Sequence, residues 1–289
     1  MKQITLTGFG DEISPKLSEQ MDTMQKLGIR HIEARGVDGV NISDLSLRTA
    51  REVKTRLSER GFSFSALGSP IGKIKLSDDF ATHLEKLRHT IELAQELQVK
   101  YIRMFSFYME ENADPADCRG EVIDRLGRMI ETVKGSGVIL LHENEKGIYG
   151  DTVERCADLM ETLGSPDFRM TFDPANFVQC GQTTFPTAFE RLAPYVEYIH
   201  IKDAVMADGK VVPAGAGDGQ VREVLGGFLK GGYRGFVSLE PHLGSFEGLS
   251  SFEKHMDIDS LPKGGAGLFT VAYNALCRIL DELGDGASE

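Results

Sequence analysis

Late in the chain, four short apolar runs each stop on a residue that can hold a cation or carry a proton. They are LLHEN (140–144), MTFDP (170–174), YIHIKD (198–203) and FVSLEPH (236–242). If each run is a strand, its side chains alternate between two faces. Leu141 and Glu143 then share one face, and Tyr198, His200 and Lys202 share the face opposite Ile199 and Ile201. Asp173 and Glu240 stand where Pro174 and Pro241 stop strand pairing. Four successive strands thus bring Glu143, Asp173, His200 and Glu240 to one rim. Carboxylates crowded into one small pocket push one another's pKa values up sharply, and a divalent cation removes the conflict. Oxygen-rich ligation with one nitrogen points to Mn²⁺, with Mg²⁺, Co²⁺ and Zn²⁺ also compatible.

Other polar residues fall near the same rim. Alternation directs Lys202 to the pocket, either to bind a substrate oxygen or to pair with Asp203 or Glu143. Arg103 and Glu33 are expected to line the pocket floor or to pair with each other, and Asn176 follows the strand that ends at Asp173. His242 lies past the bend at Pro241 and is expected to reach the substrate or to brace Glu240. His142 has the opposite pleat from Glu143 and is read as packing.

A repeating frame must hold these residues. Strands are predicted at 4–9, 31–36, 62–67, 101–106, 138–144, 168–173, 196–203 and 236–240. Helices are predicted near 15–27, 46–60, 80–97, 118–134, 152–163, 184–192, 221–230 and 266–283. In the third helix Leu84, Leu87, Ile91, Ala94 and Leu97 recur at helical spacing and make one apolar stripe. Gly28, Gly61, Gly164 and Gly232 read as helix C-caps. Units of about 36 residues, repeated through 289 residues, predict a (β/α)8 TIM barrel forming one domain over 1–289. An open doubly wound sheet is the competing architecture, but TGFGDE (7–12) lacks the third glycine of a dinucleotide loop. Two long loops, 203–220 and 241–265, follow strands and are placed on the catalytic face. The glycines of VPAGAGDG (212–219) are expected to wrap the pocket mouth, and no Lys-Ser/Thr accompanies them to cradle a phosphate.

The formal net charge is −12, a field that repels phosphate backbones and argues against a nucleic-acid partner. The four cysteines are widely spaced with no C-x-x-C pair, so neither a disulfide framework nor a thiolate zinc site is expected. The opening MKQITLTGFGDE lacks the long apolar core expected of a signal peptide, and no apolar run approaches a membrane span. The expectation is a cytoplasmic protein without a membrane partner.

At these stretches the sequence resembles the xylose-isomerase-like barrels, the sugar phosphate isomerase/epimerase superfamily. LHEN (141–144), FDPANF (172–177), HIKD (200–203), VPAGAGDG (212–219) and GFVSLEPH (235–242) carry the resemblance, and IEAR (32–35) adds a weaker signal. The resemblance implies that Glu143, Asp173, His200 and Glu240 are metal ligands and that Glu143 and Glu240 are the acid/base pair. It implies isomerisation or epimerisation of a keto sugar through an enediolate, and a homo-oligomer. A lyase or dehydratase acting on an oxidised sugar, a 3-keto-glycoside or a cyclitol ketone would use the same ligands. A barrel that binds sugar without catalysis is the reading from another class. Two positions depart from the epimerase pattern. Asn176 stands where those enzymes carry a histidine, and Met206 where they carry an arginine. The endonuclease branch of the superfamily needs several more histidines at the site for three zinc ions, and of the seven here His83 and His89 fall on a predicted helix.

Overall fold

The computed structural model describes residues 4–243 and 265–284. Eight parallel strands form where the short apolar runs predict them. They are β1 (Thr5–Gly8), β2 (His31–Ala34), β3 (Ser63–Gly68), β4 (Tyr101–Met104), β5 (Ile139–Glu143), β6 (Phe168–Phe172), β7 (Val196–Ile201) and β8 (Phe236–Leu239). Hydrogen bonding links them in the order β1–β8–β7–β6–β5–β4–β3–β2. A parallel bridge from Phe9 to Glu33 draws β1 and β2 together and closes the ring. Parallel neighbours require a return crossover outside the sheet. Helices α1 (Leu17–Lys26), α2 (Leu47–Glu59), α3 (Phe80–Leu97), α4 (Pro115–Val133) and α5 (Val153–Leu163) supply the first five. The later ones are α6 (Pro174–Gln179), α7 (Phe189–Leu192), α8 (Val221–Lys230) and α9 (Gly265–Glu282). The architecture is the expected (β/α)8 barrel. Most of the loop predicted at 241–265 lies outside the described residues.

Local chemistry explains the helix boundaries. Ser46, Asp79, Asp114 and Thr152 each accept a hydrogen bond from a backbone N–H in the first turn of α2, α3, α4 and α5. Asp114 with Pro115 starts α4 three residues before the predicted 118, because a proline in the first turn needs no N–H partner. The helix predicted over 184–192 is instead a single wide turn at Thr184–Ala188 followed by α7. Phe185 precedes Pro186 and is driven extended, with φ −128° and ψ 134°, which breaks the helix there. Gly28, Gly61 and Gly232 take the left-handed conformation expected past a helix end, whereas Gly164 has φ −26° and does not.

The barrel interior is stratified. Ala66, Leu141 and Tyr198 form a small apolar cluster, with Tyr101, Ile139 and Phe236 packed against it. Thr7 Oγ1 bonds Ser65 Oγ at 2.8 Å, and Ser65 Oγ bonds the Tyr198 hydroxyl at 2.9 Å. These residues sit on β1, β3 and β7, which are not neighbours in the sheet, so the contacts run through the lumen. The larger apolar core fills the space between the strands and the outer helices; Leu84, Leu87, Ile91, Ala94 and Leu97 of α3 face it as their spacing predicts. Among the described residues no helix is long and apolar enough to cross a membrane.

His83, buried on α3, gives the frame a pH dependence. Its Nε2 accepts the Gly72 N–H at 2.7 Å, and burial pushes its pKa down to about 4, helped by the charges of Lys86 and Arg125. The folded pKa lies below the unfolded one, so the unfolded chain binds the extra proton. The resulting stability is complete above the unfolded value and is lost as pH falls towards 4. Denaturant unfolding at pH 7 and pH 5 checks this. His83→Gln is expected to lose about 1–2 kcal/mol less than the parent over that interval.

Candidate active site at the carboxyl rim

Parallel register sets the depth of the site. Ser238 of β8 pairs with His200 of β7, and Thr171 of β6 pairs with Glu143 of β5. Glu143 is therefore the last residue of its strand, Asp173 and Glu240 each follow theirs by one residue, and His200 is next to last. The four side chains converge, each fully buried or nearly so, and each offers a ligand atom within 4.8 Å of the others. His200 Nδ1 lies 3.0 Å from Glu143 Oε1, 3.4 Å from Glu240 Oε2 and 3.9 Å from Asp173 Oδ2.

Fixed donors hold the carboxylates. Arg103 Nη1 reaches Glu143 Oε2 at 3.1 Å, and Asn176 Nδ2 donates to Glu143 Oε1 at 3.2 Å. Lys202 Nζ lies 3.1 Å from Asp173 Oδ2 and 3.2 Å from Glu240 Oε2. Arg35 Nη1 donates to Glu240 Oε1 at 3.3 Å. Asp173 also shapes the local backbone, because its Oδ1 accepts the Asn176 N–H at 2.9 Å and caps α6. Asn144 ties two strand ends together, accepting the Asp173 N–H and donating to the Asp173 carbonyl, both at 2.9 Å.

These surroundings push the carboxyl groups apart in acidity. Burial disfavours ionisation at every one. At Glu143 the charges of His200 and Arg103 outweigh it and hold the pKa at about 2. At Glu240 it is overcome by Lys202 and His242, and the pKa falls well below the usual carboxylate range. At Asp173 burial prevails, reinforced by the charges of Glu143 and Glu240, and the pKa is pushed up to about 7. Asp173 Oδ2 is also buried without a hydrogen bond, since Lys202 lies near it but outside hydrogen-bond geometry. A carboxylate oxygen left in this state, facing an imidazole nitrogen and two further carboxylates, fits a divalent cation.

Several sequence-predicted residues take unexpected partners. Arg103 and Glu33 do not pair. Arg103 binds Glu143, while Glu33 lies against His200 Nε2 at 3.1 Å. Lys202 pairs with Asp173 and Glu240 rather than with Asp203 or Glu143. His242 does reach Glu240, at 3.5 Å, and also lies 3.3 Å from Glu12 Oε1. His142 packs behind the site, its Nε2 3.0 Å from Ser106 Oγ.

The sequence did not mark Asp11 or Glu12, and it marked Arg35 only within IEAR (32–35). The Arg35 guanidinium bonds Asp11 at 2.8 Å and 3.2 Å and Glu12 at 3.4 Å, while Glu12 Oε2 accepts the His242 N–H at 2.8 Å. Alternation from Glu33 points Arg35, one residue past β2, the same way. Phe9 carries no such cue, yet its ring stands edge-on to His200 with centroids 5.3 Å apart, and Arg35 lies 4.5 Å from its centre. The pocket mouth is lined by Arg35, Lys73, Arg103, Phe105, Glu240 and His242, among others.

The glycine loop serves an internal carboxylate. The N–H groups of Gly215, Gly217 and Gly219 donate to Asp203 at 2.8, 3.1 and 2.8 Å, and that of Ala204 does so at 2.9 Å. A Cβ at Gly217 would lie 2.5 Å from both Asp203 Oδ1 and the Ala204 carbonyl oxygen. Gly217→Ala is expected to cost about 1–3 kcal/mol in denaturant unfolding, as overpacking does elsewhere.

With this geometry in place, relationships become meaningful. Residues 21–257 match the xylose isomerase-like TIM barrel family, and the chain belongs to it. Among individual proteins, it is 27% identical over 177 residues to a 2-epi-5-epi-valiolone 7-phosphate 2-epimerase from an Actinoplanes species. That match spans 61% of this chain and 63% of the relative, less than two thirds of the relative's length. Two solved structures share the fold. An L-ribulose 3-epimerase superposes with a TM-score of 0.74 at 20% identity, over 97% of this chain and 95% of the other. An IOLI protein with a bound zinc atom superposes with a TM-score of 0.76 at 15% identity, over 97% and 99%.

Proposed function

We propose that the protein is a divalent-metal-dependent isomerase or epimerase of a keto sugar or related cyclitol ketone, with Glu143 and Glu240 as its proton carriers. One observation carries this reading. The two carboxylates approach His200 Nδ1 from strands on either side of β7, at 3.0 and 3.4 Å, so a small molecule seated there would meet a carboxylate on each face. The epimerase activity of the Actinoplanes relative supports the same class. Glu143, Asp173, His200 and Glu240 would hold the cation, and the zinc atom bound by the IOLI protein is in keeping with such a site. When bound, the cation supplies Lewis-acid stabilisation of negative charge on substrate oxygen.

The chain's own residues supply the rest. Both glutamates are held in their ionised form, so either can serve as the base. One removes the proton from the carbon next to the carbonyl. The C–H pair becomes the C=C bond of an enediolate, and the carbonyl π pair moves onto oxygen. A proton returned from the other side to the same carbon inverts it, and one returned to the neighbouring carbon isomerises the sugar. No oxidant or reductant is needed. Arg103 and Asn176 fix the direction of Glu143, and Lys202 and Arg35 fix that of Glu240. Asn176 Oδ1 is buried without a hydrogen bond and can accept one from a substrate hydroxyl. Arg103 and His242 line the mouth and supply further donors to substrate oxygens, Phe105 closes one wall of it, and Lys202 beside Asp173 and Glu240 supplies another donor.

The test is metal analysis of the purified protein followed by incubation with ketoses, cyclitol ketones and 3-keto-glycosides in deuterated water. Solvent deuterium is expected at the carbon next to the carbonyl. Glu240→Gln is expected to slow its uptake by about 10²–10⁴-fold, the usual worth of a positioned acid/base group. Unchanged exchange in Glu240→Gln, with unchanged metal content in Asp173→Asn, would sink the mechanism. Accumulation of an unsaturated elimination product would move the protein to the lyase reading.

A further inference from the structure

Glu33 is a carboxylate on the far side of the His200 ring from Glu143, Asp173 and Glu240. Its side chain is fully buried, with 0% exposure, and it is not among the residues lining the pocket mouth. Its backbone closes the barrel by bridging to Phe9, and the β2–β3 register shifts between Ile32 and Glu33. The carboxylate is turned on His200, with Oε1 3.2 Å and Oε2 3.1 Å from Nε2. Ser238 Oγ donates to Oε2 at 2.5 Å. Glu33 and His200 come from strands on different sides of the ring, so the contact spans the lumen.

We infer that Glu33 is a positioning residue for the metal centre: it accepts the Nε2 proton of His200 and so presents the Nδ1 lone pair to Glu143, Asp173 and Glu240. A neutral imidazole has one donor and one acceptor nitrogen, and the partner at one decides the role of the other. The carboxylate at Nε2 can only accept, so Nε2 carries the hydrogen and Nδ1 faces the cation. Ser238 holds the carboxylate still, and Phe9 holds the imidazole ring from its edge. This role places Glu33 on the opposite side of His200 from the chemistry. The inference rests on the metal reading of the four-residue cluster.

Calorimetric titration of the full chain with Zn²⁺, together with ¹⁵N-histidine NMR of the Zn²⁺-loaded protein, separates the two. The parent is expected to bind Zn²⁺ through His200 Nδ1 with a proton on Nε2. Glu33→Gln is expected to weaken Zn²⁺ binding by about 10–100-fold, the range seen when such an outer partner is removed. Ser238→Ala, which keeps the carboxylate, is expected to weaken it less. A parent that ligates through Nε2 overturns the inference without any variant, so a Glu33→Gln chain that fails to fold does not protect it. A folded Glu33→Gln chain that binds as tightly as the parent also overturns it, and leaves the metal reading standing. A parent that binds no divalent cation overturns both.

Discussion

Carboxylates taken out of water must be met by positive charge or hydrogen-bond donors, and that requirement organises the whole rim of this barrel. Glu12, Glu33, Glu143, Asp173 and Glu240 are all buried there. All five have close cationic or imidazole partners: Arg35 and His242 for Glu12, His200 for Glu33, Arg103 for Glu143, Lys202 for Asp173, and Lys202 and Arg35 for Glu240. Asp173 shares its one lysine with Glu240, a shortage of positive charge that leaves burial free to push its pKa up. The shortage is local to the spot where the four ligand-type groups meet, which is where a divalent charge would be most strongly held.

The parallel barrel makes this crowding feasible. Each strand ends at the same face, so residues far apart in sequence arrive at one depth without any loop having to deliver them. His242 and Glu12 are 230 positions apart yet share a hydrogen bond, because β8 pairs directly with β1. The layer beneath, from Thr7 through Ser65 to Tyr198, provides a rigid polar floor on which Glu33 and His200 stand. Rigid strands rather than loops therefore set the distances at the site.

Much of this was readable from residue order because strands impose a period of two and proline ends them. Those two cues were enough to bring Glu143, Asp173, His200 and Glu240 to one rim. They could not choose partners. Alternation put Arg103 and Glu33 on inward faces, but only the ring order and the register at β2 decide that one meets Glu143 and the other His200. Asp-Pro at 173–174 was read as a strand stop; it is also the cap and first turn of α6, since the same aspartate accepts the Asn176 N–H. Asp11 and Glu12 escaped notice because they lie in a short irregular turn after β1, where no periodicity marks a direction.

The loop over 212–219 carries one last implication. Several backbone amides aimed at one point make a receptor for an anion. Here the receptor is occupied by the chain's own Asp203, which pins the loop to the end of β7. A phosphate group on a substrate could not use these amides without expelling that side chain, so the loop is a clasp rather than a hand. Trading the carboxylate for a small neutral side chain would leave the same amides without their anion and unpin the loop from β7.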